Sequence, residues 1–365
     1  MTTGTASTPA ARPELDETSL RLLDLIQDHY PLVARPYAAL GEQIGISEAG
    51  ALARLAEARQ AGVIRQICGI YDTKALGYSS ALVAMSVPVE RLAHAARVIN
   101  AHPGVSHNYK RNHEFNLWFT IAMPPGVELD PVIQRLHDLA GATSTRPMPT
   151  LHLFKIAVTL DMTHEREVDA RQEPAYTQER RVEAAKHVLD ERDIAYIRAT
   201  QSDLPDVAEP FAAVAETLGT TVEDVLEHGR RLQASGHLRR FAGILNHRQA
   251  GFRANGMAVW NVPAERVRAF GEFVAGYRGV SHCYQRPTYE DWPYSVFSML
   301  HHPKVAGVEE TAAAISRDTG VTDYRILYST TEFKKIRLPY FVPEYDQWEA
   351  RCMAAATAGE PEAAR

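Results

Sequence analysis

The chain has 365 residues, 45% of them apolar and 23% charged, with 39 Lys and Arg against 45 Asp and Glu for a net charge of −6. This is ample material for two or three domain cores, and it excludes wholesale disorder, collagen-like repeats, coiled-coil rods and, for want of a run of about eighteen apolar residues, a membrane-spanning helix. The acidic balance argues against gripping nucleic acid as the main task, and three scattered cysteines (Cys68, Cys283, Cys352) without a CxxC spacing argue against a disulfide framework or four-cysteine zinc site and fit a reducing cytoplasm.

Residues 1–16 are Thr-, Ala- and Pro-rich without an apolar segment, which predicts a disordered tail and no secretory signal. Amphipathic spacing predicts short helices over Glu17–Gln27 and Tyr37–Gln43. Gly45-Ile46 is a turn, and Ser47 caps a third helix running to about Arg59. Gly62 ends it and Val63–Ile70 reads as a strand, so 17–75 has the grammar of a winged helix-turn-helix. Residues 76–162 then read strand (Tyr78–Val87), helix (Val89–Ala101), strand (Val105–Arg111), strand (Asn116–Met123), helix (Glu128–Leu139), strand (Leu151–Leu160), the βαββαβ order of a ferredoxin-like domain. A charge-rich stretch, 163–181, reads as a linker.

The pattern then repeats. A second winged helix-turn-helix occupies 182–249, with Gly219-Thr220-Thr221 as turn and cap before Val222–Gln233. A second ferredoxin-like domain occupies 250–345, through Met257–Val262, Ala264–Ala275, Val280–Arg286, Tyr294–Leu300, Val305–Arg317 and Tyr324–Phe333. Residues 346–365 read as a C-terminal tail, and its Ala- and Glu-rich part after Trp348 is predicted to fray. The repeat is visible residue by residue: Gly62-Val-Ile-Arg-Gln-Ile-Cys-Gly69 matches Gly236-His-Leu-Arg-Arg-Phe-Ala-Gly243, and Gly104-Val-Ser-His-Asn-Tyr-Lys-Arg111 matches Gly279-Val-Ser-His-Cys-Tyr-Gln-Arg286. The fold class expected is α+β, a tandem duplication in which each copy is a winged helix-turn-helix followed by a ferredoxin-like domain.

This layout resembles the Lrp/AsnC transcription regulators over nearly the whole of both halves. A DNA reader needs Arg, Lys, Asn or Gln on its third helix. Here one third helix opens with Glu48 and the other carries Glu223, Asp224 and Glu227, so nucleic acid is not the expected partner.

The chemistry is concentrated in a repeated strand. His107, Tyr109 and Arg111 alternate, and so do His282, Tyr284 and Arg286, so each trio shares one face. An ordinary half-buried strand shows aliphatics there. A lone strand of this kind also reads as packing with a half-exposed His, but its retention in both copies favours a ligand. Arg clamps carboxylates in bidentate fashion, Tyr stacks and donates, and His ligates metal or moves a proton. Lys110, His113 and Trp118 flank the first trio, while the second continues Pro287-Thr288, so the two sites are predicted to differ. A second cationic cluster, Arg239, Arg240, His247 and Arg248, lies on the strand and turn leaving the second helix-turn-helix; its counterpart, Arg65-Gln66 to Lys74, is less basic. No Gly-rich phosphate loop is present, which argues against a nucleotide cofactor.

The GVSHNYKRNHEFNLW segment (104–118), and GHLRRFAGILNHRQAGF (236–252) with GVSHCYQR (279–286), are similar to those of the sirohaem decarboxylases, Lrp/AsnC-like proteins of the alternative haem and haem d1 pathways. The resemblance covers about 18–345 and departs at Cys283, which stands opposite Asn108, and at Pro287-Thr288. It implies a cytoplasmic carboxy-lyase in which two copies pair within one chain, with further self-association open. The reaction implied is loss of CO2 from two acetate side chains of sirohaem, giving 12,18-didecarboxysirohaem, with no cofactor beyond the substrate's iron and no metal site of the protein's own. Such a site must keep the scissile carboxylate ionised, exclude its water and protonate the carbon left behind. His107 or His282 is then expected as proton donor or iron ligand, positioned by Tyr109 and Tyr284. Carboxylates would be held by Arg111, Arg286, Lys110, His113, Arg239, Arg240, His247 and Arg248, with Trp118 as a wall. The rival expectations are a small-molecule-responsive transcription regulator and a haem-binding sensor or carrier without turnover.

Overall fold

The structure is a computed structural model and describes residues 15–156, 188–246, 254–277, 279–302 and 304–358. The expected linker at 163–181 lies outside the described residues, as do His247 and Arg248. Asp16, expected in the tail, is ordered: its side chain accepts from Ser19 N–H at 2.7 Å and caps α1 (Glu17–Asp28). Gly45, at φ 72°, ends α2 (Pro36–Ile44), and Ser47 caps α3 (Glu48–Gln60) by accepting from Gly50 N–H at 3.1 Å. The second copy uses two capping boxes, Asp190 with Asp193 on α6 (Glu191–Thr200) and Thr221 with Asp224 on α8 (Val222–Ala234); α7 is Phe211–Leu218.

The strand leaving each helical unit finds its partner in the other copy. β1 (Ile64–Tyr71) and β7 (Leu238–Leu245) pair antiparallel with each other, Cys68 opposite Ala242. Neither forms a wing hairpin of its own among the described residues, because pairing across the pseudo-symmetry axis buries both apolar faces at once. Tyr30, Tyr37, Leu40 and Leu55 of the first unit share one core with Tyr196, Phe211, Leu232 and Phe241 of the second. Arg59 of α3 reaches Asp203 at 2.7 Å and Asp206 at 2.5 Å. The other arginines of the third helices are also engaged, Arg54 with Asp16, Arg230 with Glu223 and Arg231 with Asp193, which leaves these helices tied to protein.

The other sheet has nine strands in the order β5-β2-β4-β3-β11-β8-β10-β9-β6. In the first copy these are β2 (Ser79–Ser86), β3 (Val105–Arg111), β4 (Leu117–Met123), β5 (Ser144–Pro149) and β6 (His152–Ile156). The second contributes β8 (Ala254–Trp260), β9 (Val280–Gln285), β10 (Val296–His302) and β11 (Tyr324–Lys335). The first copy's last strand, expected at Leu151–Leu160, starts earlier and breaks in two. Pro147 and Pro149 disguise β5 in the sequence, yet Pro is tolerated where a strand has a neighbour on one side only, and β5 pairs with β2.

Each copy's last strand crosses to the other copy. β11 pairs with β8 through Tyr324–Tyr328 and then with β3 through Ser329–Lys335. β5 pairs with β2, and its continuation β6 pairs with β9. Between the two halves lies a core of Trp118, Met148, Met257, Trp292, Phe297 and Leu327. Helices α4 (Leu92–Ala101) and α5 (Leu129–Ala140) pack on the outer face of the first half, α9 (Val267–Ala275) and α10 (Val305–Thr319) on that of the second. The C-terminal segment does not fray directly after Trp348: α11 (Glu344–Ala358) runs on past it and packs Tyr345 and Trp348 into the first copy, Trp348 against His102 with ring centroids 4.3 Å apart. Residues 359–365 lie outside the described residues.

Candidate functional site

Strand period places His107, Tyr109 and Arg111 on the inner face of β3, opposite to Asn108, which donates to Asn100 Oδ1 of α4 at 3.0 Å. The rings of His107 and Tyr109 are 6.1 Å apart at 33°, and the Arg111 guanidinium sits 5.8 Å from the Tyr109 centroid. In the second copy His282 and Tyr284 are 6.0 Å apart at 31°, with Arg286 at 5.0 Å from Tyr284. The sequence reading that each trio shares one face therefore agrees with the geometry.

A β-bulge sets each imidazole. The register against β4 shifts between Val105 and His107, and that of β9 against β10 shifts between Val280 and His282. The extra residue is serine both times. Ser106 Oγ lies 2.9 Å from His107 Nδ1 and Ser281 Oγ 2.8 Å from His282 Nδ1, which fixes the ring and turns Nε2 away from the serine. These serines were not singled out from the sequence, although the repeated Gly-Val-Ser-His carried the signal. Gly104 is needed there: a Cβ on it would run into Ala122 O of the neighbouring strand.

The arginines sit where the last strands cross. Arg111 Nη1 donates to Leu327 O at 2.9 Å, and Arg286 Nη1 donates to Met148 O. Burial pushes both guanidinium groups down to about 10, and neither Nε has a partner among the described residues. Their expected task as free carboxylate clamps is thus narrowed: one N–H of each belongs to the seam. A depression of about 680 Å³ opens beside Arg286, lined also by Asn261, Gln285, Thr288 and Tyr289.

Other expected site residues fall elsewhere. Trp118 is fully buried, its Nε1–H donating to Phe115 O at 2.6 Å, so it is core between the halves and no exposed wall. Trp292 of the second copy inserts beside it, ring centroids 5.3 Å apart. His113 accepts from Phe115 N–H at 3.1 Å and meets Trp292 edge-on, so it shapes the turn at the arginine end of the row. Lys110 shares the face of Asn108, away from His107. Arg239 and Arg240 lie on β7, half-buried in the inter-copy ribbon, where burial pushes the Arg240 guanidinium down.

The cations nearest His107 come from positions the sequence reading did not select. Lys335 is its register partner on β11, and burial together with Lys335 and Arg65 pushes the imidazole down to about 4, neutral at pH 7. The matching neighbour of His282 is Ile156. Behind His282, Ser281 Oγ also meets His301 Nε2 at 2.6 Å. The signal for both lay in unmatched residues of the repeat, Lys335 against Ile156 and His301-His302 against Ala122-Met123.

Two sequence families match this chain: "AsnC-like ligand binding domain" over 75–155 and 249–334, and "Siroheme decarboxylase NirDL-like HTH domain" over 20–65 and 193–239. A sirohaem decarboxylase of Hydrogenobacter thermophilus is 38% identical over 92% of this chain and 98% of its own length. A sirohaem decarboxylase NirDL subunit of Paracoccus pantotrophus is 33% identical over 88% and 96%. The crystal structure of the sirohaem decarboxylase NirDL aligns at TM-score 0.74 with 33% identity, covering 93% of this chain and 99% of that one, and its co-complex with an iron-uroporphyrin III analogue aligns at 0.73.

Proposed function

The chain belongs to the sirohaem decarboxylase family, and from that premise we propose how its own residues carry the reaction. The chain is a carboxy-lyase of sirohaem, joining in one polypeptide two copies that relatives such as that of Methanosarcina barkeri carry in separate subunits. The observation that carries the reading is the duplicated inner-face row, in which a bulge serine orients a histidine beside a tyrosine and a buried arginine.

Losing CO2 from an acetate breaks the bond between methylene and carboxyl carbon, leaving an electron pair that the conjugated macrocycle delocalises. The methylene carbon must then take a proton. In our reading His282 gives it, and Tyr284 holds that imidazole and the substrate edge. His107, kept neutral by burial and by Lys335 and Arg65, has a nitrogen lone pair suited to face the substrate iron, with Tyr109 beside it. The remaining N–H groups of Arg111 and Arg286 take substrate carboxylates, and Lys335 and Arg65 supply further positive charge. An unpaired buried guanidinium Nε is costly, and a carboxylate offsets that cost when substrate enters.

Two acetates are processed, giving 12,18-didecarboxysirohaem, within haem d1 or alternative haem synthesis, in a reducing cytoplasm. Two buried free thiols, Cys68 and Cys283, accord with that location, and no helix among the described residues is long and apolar enough to cross a membrane. The substrate's iron is the one metal the scheme uses. Anaerobic incubation of the purified chain with sirohaem, followed by mass spectrometry of the extracted tetrapyrrole, tests the reading. Loss of two CO2 is expected, and tight binding without a change of mass would make the chain a carrier instead.

A further inference from the structure

The two rows part company behind the histidine. In the second copy the hydrogen-bonded chain runs from His282 Nδ1 to Ser281 Oγ at 2.8 Å, from Ser281 Oγ to His301 Nε2 at 2.6 Å, and from His301 Nδ1 to Asn255 Oδ1 at 2.6 Å. Asn255 is exposed, so the chain leads from the inner face of the sheet to its surface. In the first copy the same register positions hold Ala122 for His301 and Ser80 for Asn255, and among the described residues the series ends at Ser106. We propose that His301, acting through Ser281, orients His282 and reloads it with the proton that the decarboxylated carbon takes. The inference rests on the reading of His282 as proton donor.

The acceptors fix the direction. An amide oxygen only accepts, so His301 carries its proton on Nδ1 and its bare Nε2 accepts from the Ser281 hydroxyl. The Ser281 oxygen then accepts from His282 Nδ1–H, and His282 Nε2 carries no proton. This arrangement is the discharged state. A solvent proton that reaches His282 Nε2 while the site is open displaces the Nδ1 proton onto Ser281, whose own hydroxyl proton passes to His301 Nε2. His282 is then neutral with its proton on Nε2, loaded for transfer, Ser281 donates to His282 Nδ1, and His301 is an imidazolium whose Nε2–H donates to Ser281.

In the chemical step the C–CO2 bond breaks, CO2 leaves, and a C–H bond forms with the proton of His282 Nε2. The hydroxyl proton of Ser281 passes to His282 Nδ1, and the Nε2 proton of His301 passes to Ser281. His301 has lost one proton and the methylene carbon has gained one, so the balance closes without oxidant or reductant. His301 touches no substrate and is a positioning and relay residue. Among the described residues no second histidine stands behind Ser106, which matches the assignment of His107 to the iron.

The test uses the full chain, incubated anaerobically with sirohaem and sampled by mass spectrometry, for His301→Ala, Ser281→Ala, their double variant and His282→Ala. The relay predicts that His301→Ala slows CO2 loss by about ten- to a hundredfold. Imidazole added to the buffer should restore the rate, and the double variant should be no slower than Ser281→Ala alone. A wild-type rate in His301→Ala, or a slow rate that imidazole does not rescue, overturns the relay. Full activity in His282→Ala overturns instead the reading of His282 as donor, so the two failures are told apart.

Discussion

The His–Tyr–Arg rows of the two copies nearly coincide in geometry, 6.1 Å and 33° against 6.0 Å and 31°, yet their surroundings differ on both sides. His107 has Lys335 across the strand pair and Ala122 behind its serine, whereas His282 has Ile156 and His301. The row is set locally, by strand pitch and by a bulge that one serine fills. Its neighbours are supplied from afar, by the last strand crossing over from the other copy and by the strand behind. Duplication therefore preserved the part that a single strand encodes and freed the part that two strands share, which leaves one imidazole beside a lysine and the other backed by a second histidine.

The sharpest way to break this comparison is to remove each histidine in turn. His282→Ala is expected to lower the rate of CO2 loss by about 10²- to 10⁴-fold, the range for a lost general acid. His107→Ala is expected to change the absorption spectrum of the bound sirohaem and weaken its binding. Equal loss of turnover with no spectral change in either variant would make the two sites equivalent and the division of labour wrong.

A second, smaller effect concerns the plug that only the second copy provides. Trp292 is fully buried against Trp118, Phe115 and Phe297. Trp292→Ala should cost about 3–5 kcal/mol of stability through the cavity it leaves, read as a lower midpoint in denaturant. A midpoint shift under about 1 kcal/mol would mean that the halves close without it.

The smallest effect sharpens the comparison by making one copy resemble the other. Lys335→Ile gives the first row the aliphatic neighbour of the second. Loss of one charge-assisted contact to a carboxylate, roughly 1.5–3 kcal/mol, should weaken sirohaem binding about ten- to a hundredfold, with reduced dependence on salt, measured by spectral titration. Unchanged affinity would place the substrate away from β11.

The duplication, the βαββαβ order and both rows were legible because each is written in contiguous residues: period-two alternation, Gly and Ser turn signals, and the matched Gly-Val-Ser-His. What misled the reading was equally physical. Trp118 looks like a ligand wall in sequence, since an aromatic near a polar strand reads alike whether it lines a cleft or fills a core. Its burial depends on Trp292, more than one hundred and fifty residues away. Pro147 and Pro149 hid β5, because the sequence does not say that this strand has a single neighbour. His113 and Lys110 were grouped with the row by nearness along the chain, and the turn and the strand pleat send them elsewhere.

The sequence by itself determined the two copies, the face on which each histidine, tyrosine and arginine stands, and the acidic third helices, because these follow from local backbone geometry and charge. Only the tertiary structure decided what each row meets. The crossing of β5–β6 and of β11 binds Arg286 and Arg111 to backbone carbonyls and brings Ile156 to His282 and Lys335 to His107, while β1 pairs with β7 in place of two separate wings. These partners are set by which strand closes which sheet edge, a choice made by backbone hydrogen bonds that every residue but proline offers alike, so no residue pattern along one strand names its neighbour.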